Sequence, residues 1–84
     1  MDILDSVTPA VRPIPIEQIR PCPARHYFGG DHIENLAEWM RAFGLLDPIV
    51  VKRVPDGYEI VSGTRRWLAA RMLGWRSLDA RIVN

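Results

Sequence analysis

Five consecutive residues, Ser62-Gly63-Thr64-Arg65-Arg66, bring together two hydroxyls, a glycine hinge and two guanidinium forks. The residues before them, Tyr58 to Val61, alternate as a strand does. From Thr64 onward Leu68, Ala69, Met72 and Leu73 recur at helical spacing, and Gly74 stands where a helix ends in its C′ residue. The arginines therefore fall in the first turn of a helix. The opening N–H groups of a helix lack intrahelical partners and carry partial positive charge, so arginine is disfavoured there by roughly a few tenths of a kcal/mol unless an anion sits opposite. Gly63, having no Cβ, lets a ligand approach the backbone. Free amides, hydroxyls and two forks together describe a phosphate site. The competing reading makes Arg65 and Arg66 solvated charges, or partners of Glu59 and Asp56.

The charge distribution agrees with an anion site in this part of the chain. The whole sequence of 84 residues carries 11 basic and 10 acidic residues, so no global field attracts polyanions. From Ile60 onward, however, five arginines (Arg65, Arg66, Arg71, Arg76 and Arg81) face the single acid Asp79. Lys52 is the only lysine; arginine binds phosphate through a bidentate fork, although heavy arginine use also follows from a GC-rich genome. Cys22 is alone, which excludes an internal disulfide and a cysteine metal cluster, and His26 and His32 are too few to hold a metal without carboxylates. The acidic start, Met1-Asp2-Ile3-Leu4-Asp5, has no apolar core of a signal peptide, and no apolar run reaches membrane-spanning length. The expected setting is a reducing cytoplasm.

The elements that would position the Gly63 turn follow from periodicity. Residues 1–10 read as a flexible tail and residues 11–84 as one folded domain. Residues 11–19 alternate weakly around Pro13 and Pro15, which suits an edge strand with Ile14 and Ile16 on one face. Residues 20–30 form a loop, stiffened by Pro21 and Pro23 and loosened by Gly29-Gly30, that offers Arg25, His26 and Tyr27 to a ligand. Asp31 is a suitable N-cap for a helix whose apolar stripe is Ile33, Leu36, Ala37, Met40 and Phe43, with Trp39 off the stripe and Gly44 as its stop. Glu34 and Glu38 read as a solvated face, with Arg41 in reach of Glu38. The β-branched run Ile49 to Val54 predicts a central strand, Pro55-Asp56-Gly57 a turn into the next strand, and Leu78 to Val83 a last strand with one buried face. The expected fold is α+β, a small mixed sheet with two helices packed on it in the order β-loop-α-β-β-α-β. The loop at 20–30 and the turn at 62–64 are expected at one sheet edge, forming one cleft.

Several of these pieces occur together in a known family. Ile14-Pro15-Ile16 through Ile19-Arg20-Pro21, Arg25-His26-Tyr27-Phe28, Phe43-Gly44-Leu45-Leu46-Asp47-Pro48-Ile49-Val50-Val51, and Gly63-Thr64-Arg65-Arg66-Trp67 with Ala69-Ala70 resemble, in order, the boxes of the ParB N-terminal domain in the ParB/sulfiredoxin superfamily. The resemblance spans residues 14–83. It implies a nucleotide pocket in which Ser62, Gly63, Thr64, Arg65, Arg66 and Arg25 contact the phosphates of CTP or ATP, with Mg2+ as an optional companion and no metal ligand assigned. It also implies a role in DNA partitioning or in transcriptional or plasmid regulation, with DNA contacted through a further domain or partner, a homodimer, no membrane, and a cytoplasmic, nucleoid-associated location.

Two departures stand out. Thr64 replaces the family's glutamate, a carboxylate that would help to hold Mg2+, and Pro23-Ala24 stand where many members place a glutamine before the loop arginine. The cysteine of sulfiredoxin would also fall at Thr64, which argues against reductase chemistry. Two other classes remain alongside. One is an enzyme, a weak NTPase, ParB-like nuclease or phosphotransferase, which needs a base or metal beside the phosphates from among Glu59, Asp47, His26 and His32. The other is a non-specific DNA-binding or interaction domain that uses the arginine-rich last third.

Overall fold

The structure, a computed structural model, describes residues 10–22, 33–45 and 47–83. The apolar, β-branched stretches pair into a five-stranded sheet: β1 (Val11–Pro15), β2 (Ile19–Arg20), β3 (Ile49–Val54), β4 (Gly57–Ser62) and β5 (Ser77–Val83), in the order β1-β5-β3-β4-β2. The β3–β4 hairpin and the β1–β5 pair are antiparallel, whereas β3–β5 and β2–β4 are parallel. The strand predicted as central, β3, is the middle one. Period-two alternation sends Ile49, Val51, Ile60, Leu78 and Ala80 to the buried face, all at 2 % exposure or less.

Two helices complete the mixed α+β fold, α1 (Ile33–Phe43) and α2 (Thr64–Met72), and both contribute to the one buried core cluster. Helix α1 buries Ile33, Ala37 and Met40, as its stripe predicts. Phe43 differs, at 62 % exposure. It lies at the edge of the stripe in the last turn, and its ring packs instead on Trp39, with centroids 4.6 Å apart. Arg41 pairs with Glu38 as the spacing suggested. The expected N-cap Asp31 and residues 1–9 of the expected tail at 1–10 lie outside the described residues.

Two further expectations are corrected. Residues 11–19 are not one strand: β1 ends at Pro15, a 3-10 turn occupies Ile16–Gln18, and β2 starts at Ile19. The turn is fastened by Ile16 N–H donating to the Arg76 carbonyl at 2.9 Å. Its three-residue period keeps Ile16 and Ile19 on the same, buried side. In α2 the buried face is rotated from the one expected. Trp67, Ala69 and Ala70 are buried, with Leu73 half-buried, while Met72 is 55 % exposed. The two alanines, both at 0 %, let α2 lie close against its neighbours, and a methionine there would hold it away. The helix ends as Gly74 requires: Trp75 N–H reaches the Ala70 carbonyl at 3.0 Å and Gly74 N–H reaches Arg71 at 3.1 Å, with Gly74 at φ +77°.

Candidate anion-binding corner

The corner is built where β4 stops pairing. Val50 opposes Ser62 and Val51 opposes Ile60, so Val61 is an extra residue, a bulge that bends β4 just before Gly63. Gly63 caps α2 with φ +110° and ψ 25°, a backbone state that L side chains rarely adopt. Space demands glycine as well. A Cβ there would meet Ile49 Cγ2 at 2.6 Å and Ile49 Cβ at 2.8 Å, and Ile49 is wholly buried.

The first helical bond runs from Trp67 N–H to the Gly63 carbonyl at 3.0 Å. The amides of Thr64, Arg65 and Arg66 therefore belong to the opening turn, whose donors have no partner earlier in the helix. No acid stands in that first turn, and no side chain of the cap residue closes it. Ser62 and Arg65 are exposed, and Gly63, Thr64 and Arg66 are half-buried. The two acids named as competing partners for the arginines have other contacts. Asp56 takes Arg20 at 3.1 Å and Glu59 takes Lys52 at 3.5 Å.

The two arginines are not equivalent. Arg66, Ala69, Ala70 and Leu73 lie at i, i+3, i+4 and i+7, so Arg66 occupies the core-facing stripe of α2. Its Nη1 donates to the Pro48 carbonyl at 3.2 Å, and it lines a hollow of about 130 Å3 with Leu36, Trp39, Met40, Leu45 and Asp47. Arg65 lies on the outward side of the helix. One hydrogen bond occupies only one of the five N–H groups of a guanidinium, so Arg66 retains donors for an anion. The Pro48 carbonyl and the Val61 bulge were missed by sequence reasoning; the spacing of Arg66 with the two alanines was the available signal for its inward direction.

Of the predicted phosphate residues, Ser62, Gly63, Thr64, Arg65 and Arg66 come together at this corner, and Arg25 lies outside the described residues, as do His26, Tyr27 and His32. Strand β2 pairs in parallel with β4, Ile19 beside Tyr58 and Arg20 beside Glu59, so the chain leaves β2 toward the same end of the sheet at which β4 reaches Gly63. The rest of the predicted shared cleft, residues 23–32, lies outside the described residues. Among the described residues no three His, Cys, Asp or Glu side chains gather as metal ligands. Among them, too, no helix is long and apolar enough to cross a membrane.

Known proteins resemble this chain in sequence and fold. Over 77 residues the chain is 42 % identical to a nucleoid occlusion protein of Geobacillus sp. (strain WCH70), covering 88 % of this chain and 27 % of that protein. It thus spans about a quarter of the length of such curated relatives. A C-terminally truncated chromosome-partitioning protein ParB of Caulobacter crescentus, solved in complex with CTP-gamma-S, superposes with a TM-score of 0.80 at 34 % identity, over 89 % of this chain and 44 % of that one. Sulfiredoxin of Arabidopsis thaliana superposes with a TM-score of 0.79 at 28 % identity, over 90 % of this chain and 86 % of that one. Residues 2–84 match the ParB N-terminal domain family, and with this fold and this corner the chain belongs to that family.

Proposed function

We propose that the Gly63 corner binds the phosphates of a nucleoside triphosphate, CTP or ATP, and that nucleotide occupancy governs a role in DNA partitioning or nucleoid occlusion. The observation that carries this reading is a helix start with two arginines, two neighbouring hydroxyls and no acid, entered through a glycine packed on Ile49. Such an end presents amides and partial positive charge to an anion. Support also comes from the ParB of Caulobacter crescentus, a relative solved with CTP-gamma-S.

In this reading Arg65 and Arg66 supply charge-assisted hydrogen bonds, Ser62 and Thr64 supply hydroxyls, and Arg25 adds a further phosphate contact. Thr64 provides no carboxylate for Mg2+, so phosphate charge is met by the protein's own arginines. Bound nucleotide favours the conformation that grips it and thereby shifts a self-association equilibrium, with DNA contacted by other parts of the protein or by a partner.

Isothermal titration calorimetry with CTP, ATP and GTP, each with and without Mg2+, tests this directly. Saturable heat with CTP or ATP that persists without Mg2+ and weakens as salt rises is expected. Absence of heat with all three nucleotides contradicts it.

A further inference from the structure

A second concavity, of about 850 Å3, lies away from the Gly63 corner, where the 3-10 turn meets the C-terminal half of α2 and the start of β5. Its wall includes Ile16, Glu17, Trp67, Arg71, Trp75 and Arg76. Trp67, Arg71 and Trp75 follow at four-residue spacing, so one side of α2 and its C-terminal cap furnish two indoles and a guanidinium. Arg71 sits 4.8 Å over the Trp67 ring, a cation–π contact that leaves its N–H groups available. Among the described residues no hydrogen bond or ion pair engages the side chain of Arg76, and Glu17 pairs with neither arginine. Trp67 is only 7 % exposed, and its Nε1–H has no acceptor among the described residues.

The side chains of Arg71, Trp75 and Arg76 on this wall carry donors only, two guanidinium groups and one indole N–H, beside the Ser77 hydroxyl, while the Trp67 N–H is itself buried. Such a wall is complementary to a ligand that accepts hydrogen bonds and carries negative charge. The flat indole of Trp75 and the aliphatic Ile16 ask for an apolar, planar body beside that charge. Glu17 disfavours a polyanion, so the groove suits one carboxylate better than a triphosphate. Its volume falls within the range of small-molecule sites. We propose that this groove binds an aromatic carboxylate, its anion held by Arg71 and Arg76 and its ring against Trp75. The groove shares no lining residue with the Gly63 corner, and Arg71 stands seven residues along α2 from Thr64, about 10 Å at 1.5 Å per residue, although Trp67 directly follows Arg66. The same chemistry occurs in a free aromatic acid and in the C-terminal aromatic residue of a polypeptide.

Nitrogen–proton NMR separates these cases. The protein is titrated to millimolar concentration with N-acetylphenylalanine, with its uncharged amide, and with the tetrapeptide Gly-Gly-Ala-Phe ending in a free carboxylate. Saturable shifts of the Trp67 and Trp75 indole signals and of the residue 71 and 76 amides are expected with one or both acids. The Trp39 indole and residues 62–66 should stay unmoved, and the amide should bind about tenfold more weakly or worse. Arg76→Gln should remove the preference for the acid. Tighter binding of the tetrapeptide identifies a chain terminus as the source, and tighter binding of the acetylated amino acid identifies a free acid. No saturable indole shift with either acid, or equal binding of acid and amide, overturns the proposal.

Discussion

Gly63→Ala is expected to destabilise the fold by about 2–6 kcal/mol, a strained backbone contributing about 1–3 and an overpacked contact a similar amount. The new methyl carbon would stand 2.6 Å from Ile49 Cγ2, inside any real contact distance. Ile49 is 0 % exposed on the central strand, so it has no room to retreat. A small domain has roughly 5 kcal/mol or little more to lose, so much of the variant should be unfolded at 25 °C. Gly74→Ala is the matched control. Gly74 also has positive φ (+77°), but nothing lies within 4 Å of its added Cβ. Its loss should be the backbone cost alone, about 1–2 kcal/mol. Urea unfolding followed by circular dichroism measures both. If the two variants lose equal stability, Gly63 is not held against Ile49 as described, and the corner is freer than its geometry indicates.

Arg66→Ala should lower nucleotide affinity about 10- to 100-fold, since a charge-assisted hydrogen bond is worth about 1.5–3 kcal/mol and each 1.4 kcal/mol is a factor of ten. Because Arg66 is half-buried and bonded to the Pro48 carbonyl, the same substitution should also cost about 1 kcal/mol of stability. Arg65→Ala, at an exposed position, should weaken binding with less effect on unfolding. Arg66→Lys keeps the charge but loses the fork, and should recover only part of the affinity. Calorimetry on the three variants, with urea unfolding alongside, distinguishes a ligand-binding arginine from a purely structural one. A structural role alone would lower stability in Arg66→Ala and leave nucleotide affinity unchanged.

The corner was legible in the sequence because local chemistry dictates it: alternation up to Val61, a glycine, and arginines opening a helical period can fold in few other ways. The Ile49–Val54 strand and the Gly74 cap were legible for similar reasons, each resting on neighbours within a few residues. The misread parts depend on long-range geometry. A period of two and a 3-10 turn both bury Ile14 and Ile16, so the only mark of the break after Pro15 is the three-residue step from Ile16 to Ile19; the Arg76 carbonyl that receives Ile16 N–H is 60 residues away in sequence. Apolarity alone favours Met72 on the buried face of α2, whereas close approach selects the small Ala69 and Ala70. That rotation also turns Arg66 inward toward Pro48, a placement for which the spacing of Arg66 with Ala69 and Ala70 was the only sequence signal.

The most direct test of the central claim is a nitrogen–proton NMR titration with CTP and ATP, following the backbone amides of residues 62–66. The account predicts that these amides shift saturably and more than those along β1 and β5, and that inorganic triphosphate moves the same set. Shifts confined to other surfaces, or none at the Gly63 corner at saturating nucleotide, would contradict it.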